Sequence, residues 1–190
     1  MIPAVPAGTR LLGIAGAPGA GKSTLAGSLG LPIVPMDGFH YADVELVRRG
    51  LRDRKGAPET FDAEGYAALL RRVRSGEEGV VAPMFERGLE QPLAGAIPVP
   101  ATGTVVTEGN YLLLDEPRWR AVRAEIDVVW HVDVDDALRV ERLVARHVRF
   151  GKTPEAAREW VERVDGANAR LVEAARDRAD LVVDLSDWTP

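Results

Sequence analysis

Residues Arg10 to Leu29 read RLLGIAGAPGAGKSTLAGSL. Leu11–Gly16 form an apolar run of strand length. Glycines and one proline follow, and Lys22-Ser23-Thr24 open a segment with helical patterning. Gly16, Gly21, Lys22 and Ser23 meet the spacing GxxxxGK[ST]. Chemistry explains the spacing. Glycines accept positive φ and keep side chains from coming between main-chain N–H groups and an anion. Those N–H groups and the start of the next helix make a nest for phosphate oxygens. Lys22 adds a point charge at the β/γ-phosphates, and the Ser23 hydroxyl suits Mg²⁺. A strand before the pattern and a helix after it are the context that makes it a P-loop. The expected phosphate cradle is Gly16, Ala17, Pro18, Gly19, Ala20, Gly21, Lys22, Ser23 and Thr24.

Outward from this loop, strands and helices alternate. LPIVPMD reads as a second strand ending at Asp37, and ADVELVRRG as a short helix closed by Gly50. LRDRKGAPET is a basic loop. A helix begins near Asp62, with Tyr66, Leu69, Leu70 and Val73 on one face. Residues 79–103 carry many Gly and Pro and read as irregular or as short edge strands. TVVTEGNYLLL and EIDVVWHVDV read as buried strands, and Asp135 caps a helix running to about Arg149. Thr153-Pro154 start another helix, which should bury Ala157, Trp160, Val161, Val164, Leu171, Val172 and Ala175. ADLVVDLS is the last strand. Strands apolar on both faces and separated by helices predict a parallel sheet covered on both sides, an α/β three-layer sandwich.

The length of 190 residues fits one domain. A net charge of −5 argues against a general binder of nucleic acid or membrane surfaces. There are no cysteines, so zinc-thiolate sites and cysteine nucleophiles are excluded. His40, His131 and His147 are too scattered to show metal-ligand spacing. No apolar run approaches the roughly 18 residues of a membrane span, and no basic segment precedes an apolar one at the N-terminus. The expectation is a cytoplasmic protein, with a homodimer left open.

A phosphate grip serves several chemistries. A guanine-reading NKxD and the transporter signature LSGGQ are both absent, and Asp62–Gly65, which matches DxxG, reads as a helix cap. A small-molecule kinase needs an acid beside the acceptor hydroxyl, an acidic Mg²⁺ partner and cations over the γ-phosphate. Asp37 and Glu108 each end an apolar strand, and ligands of open parallel sheets sit beyond those ends. Arg139, Arg142, Arg146 and Arg149 share one helical face. Arg139 has Asp135 or Asp136 within one turn, which leaves Arg142, Arg146 and Arg149 to clamp phosphate. Asn168 interrupts an apolar stripe and reads as a structural hydrogen-bonding residue ahead of a nucleotide contact. The competing reading is a regulatory P-loop ATPase with no small acceptor.

These residues resemble the uridine kinase, phosphoribulokinase and bacterial pantothenate kinase group of P-loop kinases over nearly the whole chain. MDGFHY (Met36–Tyr41) is similar to the group's Asp-x-Phe-Tyr/His segment, and RKGAPETFD (Arg54–Asp62) to the RKG-x-P-E-S-Y-D stretch of pantothenate kinases. PMFER (Pro83–Arg87) stands where uridine kinases carry P-x-Tyr-Asp in a substrate-covering hairpin, with Phe85-Glu86 in place of Tyr-Asp. TEGNYLL looks like the group's strand-end Glu-Gly, and the arginine helix leading to RFGK resembles its lid. The small branch of sugar (fructose) or nucleoside kinases is the nearest match. The resemblance implies a five-stranded parallel sheet with a hairpin insert at about 79–103 and a lid at about 139–153. It implies transfer of the ATP γ-phosphoryl group to a hydroxyl of a nucleoside, sugar or related alcohol, with pantothenate as an alternative. By the same likeness Asp37 is the base, Lys22 and Arg146 stabilise charge, and Ser23 and Glu108 lie near Mg²⁺. Phe39, His40, Arg52, Lys55, Phe85, Arg87 and Tyr111, with Asp37 and Glu108, would line the acceptor pocket.

Overall fold

The computed structural model describes residues 2–188. Five strands make one parallel sheet: β1 (Leu11–Gly16), β2 (Ile33–Pro35), β5 (Val105–Glu108), β6 (Val128–Asp133) and β7 (Leu181–Asp184). Their order is β2-β5-β1-β6-β7. β1 is therefore central, and the loop at its C-terminal end opens between β5 and β6. Strands β3 (Val81–Glu86) and β4 (Gln91–Pro98) form a separate antiparallel hairpin, with a register break between Ala82 and Met84. The Gly/Pro-rich stretch is thus ordered pairing outside the main sheet, where Pro83, Pro92 and Pro98 cost no central ladder bond.

All six residues of β1 are buried, and its alternating side chains feed two cores. Leu11 and Ala15 pack with α3 (Ala63–Arg74), α4 (Pro117–Ala124) and α7 (Gly166–Glu173) through Tyr66, Leu70, Trp119, Val122 and Val172. Leu12 and Ile14 pack with Leu25 and Ala26 of α1 (Lys22–Ser28) and with Trp130, Val132 and Leu185. Burying each such side chain contributes roughly 1.5–3 kcal/mol, the main force behind the layered fold. The remaining helices are α2 (Asp43–Arg49), α5 (Asp136–Arg149) and α6 (Pro154–Trp160). Capping follows the sequence reading. Asp62, Asp135 and Thr153 accept from the N–H groups of Gly65, Leu138 and Ala156.

Three details depart from the sequence reading. β2 stops at Pro35, and Met36–Phe39 coil into a 3₁₀ turn, so Asp37 sits on a turn past the strand. β7 is an edge strand with Leu181 and Val182 40% and 37% exposed, because only one neighbour and one core cover it. Leu171 is 46% exposed and not part of the core. Its stripe assumed uninterrupted α-periodicity, but Val161–Asp165 form a π turn between α6 and α7 that changes the phase of everything after it.

Candidate active site

The loop after β1 is held from two sides. Ala20 N–H bonds to the Ala17 carbonyl, and Leu25 N–H to that of Gly21, which closes the bend and starts α1. Gly19 has φ +82°, and a Cβ there would lie 2.7 Å from Leu143 Cγ and 3.0 Å from the Arg139 carbonyl of α5. Only glycine allows that approach. Arg139 is buried, pairs with Asp136 at 2.6 Å and donates to the Pro18 carbonyl at 3.3 Å. The first turns of the arginine helix are therefore a wall of the phosphate loop. Lys22 folds over the loop, its Nζ donating to the Ala17 carbonyl at 3.0 Å. Burial pushes Lys22 down to about 8, against the pull of Glu108 and Asp37.

Two carboxylates face this loop. Glu108, at the end of β5, accepts from Ser23 Oγ at 3.1 Å. Burial and the neighbouring Asp37 raise its pKa above the ordinary carboxylate value, while Lys22 and Ser23 oppose the rise. Asp37 is paired with Arg87 of the hairpin loop at 3.2 Å. Tyr66 braces both acids. Its hydroxyl bonds to Thr107 beside Glu108, and its ring packs on Phe39, two residues after Asp37, with 4.5 Å between centroids. Thr107 also donates to the Val34 carbonyl at 2.7 Å, tying β5 to β2. Gly38 touches the hairpin so closely that a Cβ would lie 2.4 Å from the Pro83 carbonyl oxygen.

A cleft of about 440 Å³ runs from the loop across these acids. Of the sequence-predicted residues it takes in Pro18, Gly19, Lys22, Ser23, Asp37, His40, Arg52, Lys55, Phe85, Arg87, Glu108 and Arg146. His40 stacks between Phe61 and Phe85 at 4.0 and 4.7 Å, and burial lowers its pKa. Lys55 pairs with Asp43 at 2.6 Å and reaches the Glu90 carbonyl, and Arg52 pairs with Asp43 at 2.9 Å. An adjoining cleft of about 510 Å³ takes in Gly19, Gly21, Lys22, Ser23, Thr24, Arg87, Arg142 and Arg146, with Leu185 and Trp188 beyond the last strand. Burial beside Arg87 lowers the pKa of Arg146, and Asp165, Asp37 and Glu108 pull it back up.

Other predicted residues fall elsewhere. Gly16 at the end of β1 and Ala17 and Ala20 in the loop are buried. Phe39 and Tyr111 lie in the core behind the cleft, where the Tyr111 hydroxyl donates to the Gly56 carbonyl, so they support the pocket from behind and do not line it. Arg149 is exposed and lines neither cleft. Asn168 donates to the Gly56 carbonyl at 3.4 Å, in keeping with its structural reading, yet it also lines the larger cleft. Sequence reasoning missed Asn110, His147, Lys152, Trp160, Asp165, Leu185 and Trp188 as lining residues. The usable signal was an acid, Asp165, at a buried position of an apolar stripe.

The donor set at Ser23 and Glu108 fits Mg²⁺, which takes one or two hard protein oxygens and completes its shell with water and nucleotide phosphates. The described residues contain no group of three or more His, Cys, Asp or Glu that could hold a metal ion. Nor do they include a helix long and apolar enough to cross a membrane.

No protein-family model matches the chain. A protein of Schizosaccharomyces pombe described as a candidate uridine kinase is 34% identical over 192 residues, which is 91% of this chain and 82% of that protein. A pantothenate kinase of Limosilactobacillus reuteri is 33% identical over 67% of this chain, which spans 46% of that longer protein. The crystal structure of a candidate fructose transport system kinase from Silicibacter sp. TM1040 superposes with a TM-score of 0.82 at 42% identity, covering 96% of this chain and 93% of that one. With a phosphate loop that faces Glu108 at the end of β5 and Asp37 in the turn after β2, and with relatives that match from two thirds to 96% of its length, the chain belongs to the P-loop kinases of the uridine kinase and pantothenate kinase group.

Proposed function

We propose that this kinase transfers the γ-phosphoryl group of ATP to a hydroxyl of a small metabolite, a nucleoside or a sugar. The observation that carries the reading is the meeting of Lys22, Asp37, Glu108 and Arg146 in one continuous cleft that also holds His40, Phe85 and Arg87. ATP fits with its phosphates on the Gly16–Thr24 backbone and its base toward Arg142, Leu185 and Trp188. The acceptor fits on the other side, under the hairpin and within reach of Asp37. Asp37 takes the hydroxyl proton as the oxygen bonds to phosphorus, and Arg87 holds that carboxylate in orientation. Lys22 and Arg146 stabilise charge on the transferring oxygens. Ser23 and Glu108 would hold Mg²⁺, which when bound would neutralise phosphate charge. The hairpin over residues 79–103 and the later turns of α5 into the 149–153 segment serve as cover and lid. Their closure excludes water, which limits wasteful ATP hydrolysis.

The test is ADP formation with and without a panel of nucleosides, sugars and pantothenate, in wild type and two variants. Asp37→Ala should lower kcat by about 10²–10⁴-fold and leave ATP affinity intact. Lys22→Ala should weaken both. Equal loss of ATP affinity in the two variants would remove Asp37 from the role of base. A slow rate that no compound stimulates would favour a regulatory ATPase.

A further inference from the structure

We propose that Asp165 is the residue that recognises the polar end of the acceptor, and that its partner His147 ties acceptor binding to the placement of Arg146. The inference rests on the kinase reading above and adds a specificity wall to it.

The wall comes from the π turn Val161–Asp165. Such turns add a residue to helical geometry and redirect the side chains at their end, commonly at functional sites. Here the turn brings Asp165 to the cleft, between the end of α5 and Asn168. Asp165 is only 7% exposed, yet it lines the cleft. Its Oδ2 lies 2.9 Å from His147 Nε2. No bond to its other oxygen is found among the described residues. That oxygen is not sealed from solvent, so a hydroxyl of the ligand can take the place of water on it.

The neighbours sharpen the chemistry. On the hairpin side the cations are already engaged: Arg52 and Lys55 with Asp43, and Arg87 with Asp37. At the far wall the available groups are the Asp165 oxygen, the Asn168 amide, held at a lax 3.4 Å, and the Lys152 ammonium, which sits 4.6 Å over the Trp160 ring. A carboxylate accepts from one hydroxyl, while an ammonium and an amide donate to the next. That set suits a neutral compound with neighbouring hydroxyls. A carboxylate or phosphate at that end of the acceptor would meet Asp165.

His147 follows Arg146 directly in α5, and both line the same cleft. An acceptor that fixes Asp165 fixes His147, and with it the turn of helix that carries Arg146. Arg146 would then reach its productive position only when the acceptor is in place. Asp165 touches substrate in this scheme, and His147 is a positioning residue.

The experiment first identifies, with the panel above, a polyol or nucleoside that stimulates ADP formation by wild type. Kinetics are then measured with that acceptor and with its analogue lacking the hydroxyls remote from the phosphorylated one, in wild type and Asp165→Asn. Wild type should favour the full acceptor. Asp165→Asn should raise the KM for the full acceptor on the order of tenfold or more and leave the KM of the analogue nearly unmoved, erasing the discrimination. His147→Gln should raise the share of ADP formed without product. If Asp165→Asn does not fold, as read by thermal melting, Asn168→Ser on the same wall gives the same readout. An unchanged KM, or an equal loss with both compounds, overturns the proposal while the kinase reading stands. A wild-type panel that stimulates nothing overturns both.

Discussion

Lys22 shows at the scale of one residue how the fold prepares for its ligand. Its ammonium is buried against a main-chain carbonyl, and desolvation brings its pKa from 10.5 to about 8. Between those values the unfolded chain holds a proton that the nucleotide-free fold does not. On that account the empty enzyme gains stability as pH rises from 8 toward 10.5, and loses that gain as pH falls through 8. A polyphosphate reverses the balance, because its charge favours the ammonium form. Nucleotide binding at pH 8.5 should therefore take up a proton. Titration calorimetry in two buffers of different ionisation heat should show an uptake of up to about three-quarters of a proton in wild type that vanishes in Lys22→Met. Identical heats in both buffers for wild type would mean that Lys22 does not meet the phosphates. The place of this lysine on the loop was legible in the sequence, since GxxxxGK[ST] fixes it. The depth of its burial was not, because that depends on Glu108 of β5 and Asp37 of the turn after β2 arriving beside it.

At the scale of elements, the hairpin and the turn after β2 work as one unit. Gly38 passes so close to β3 that an added methyl would sit 2.4 Å from the Pro83 carbonyl oxygen and 2.7 Å from its carbon. Backbone cannot yield there as a flexible side chain would, so one of the two must move. Gly38→Ala should destabilise by roughly 1–3 kcal/mol, or about 2–12 °C in melting temperature at 2–4 °C per kcal/mol. It should also raise the acceptor KM on the order of tenfold, by displacing Asp37 and Arg87 together, with ATP affinity within about twofold. Steady-state kinetics and a melt check this, and an unchanged acceptor KM would separate the hairpin from acceptor binding. Local signals foretold the capped helices and the exits of β1 and β5, but not that of β2 at Pro35. They did not foretell the π turn at Val161–Asp165, because α-periodicity looks unbroken through Val164 and the extra residue shows only in the hydrogen bonds.

The whole molecule is a sheet whose two cores meet along β1, with chemistry gathered at one end and tethers at the other. Away from the site, Asp127 accepts the N–H groups of Arg10 and Leu11 at 2.9 Å each, and Arg10 reaches the carbonyls of Val73 and Pro100. A ligand that binds only the folded state stabilises all of this at once. A nonhydrolysable ATP analogue at about 100 times its Kd should add about 2.7 kcal/mol, seen as a rise of roughly 5–11 °C in melting temperature. The rise should persist in Asp37→Ala and shrink in Lys22→Ala, as scanning fluorimetry would show. A full rise in Lys22→Ala would detach the lysine from nucleotide binding. By itself the sequence determined the parallel α/β sandwich, the phosphate loop and the acid that ends β5, Glu108. Each of these is written in a short stretch, as a period of apolar residues or a fixed spacing, and local chemistry alone enforces it. Only the tertiary structure decided that Phe39 and Tyr111 stand behind the cleft, that Arg149 stays outside it, and that Asp165 and His147 enter it. Those outcomes depend on where distant helices pack and on the phase of one turn, and neither is encoded by neighbouring residues.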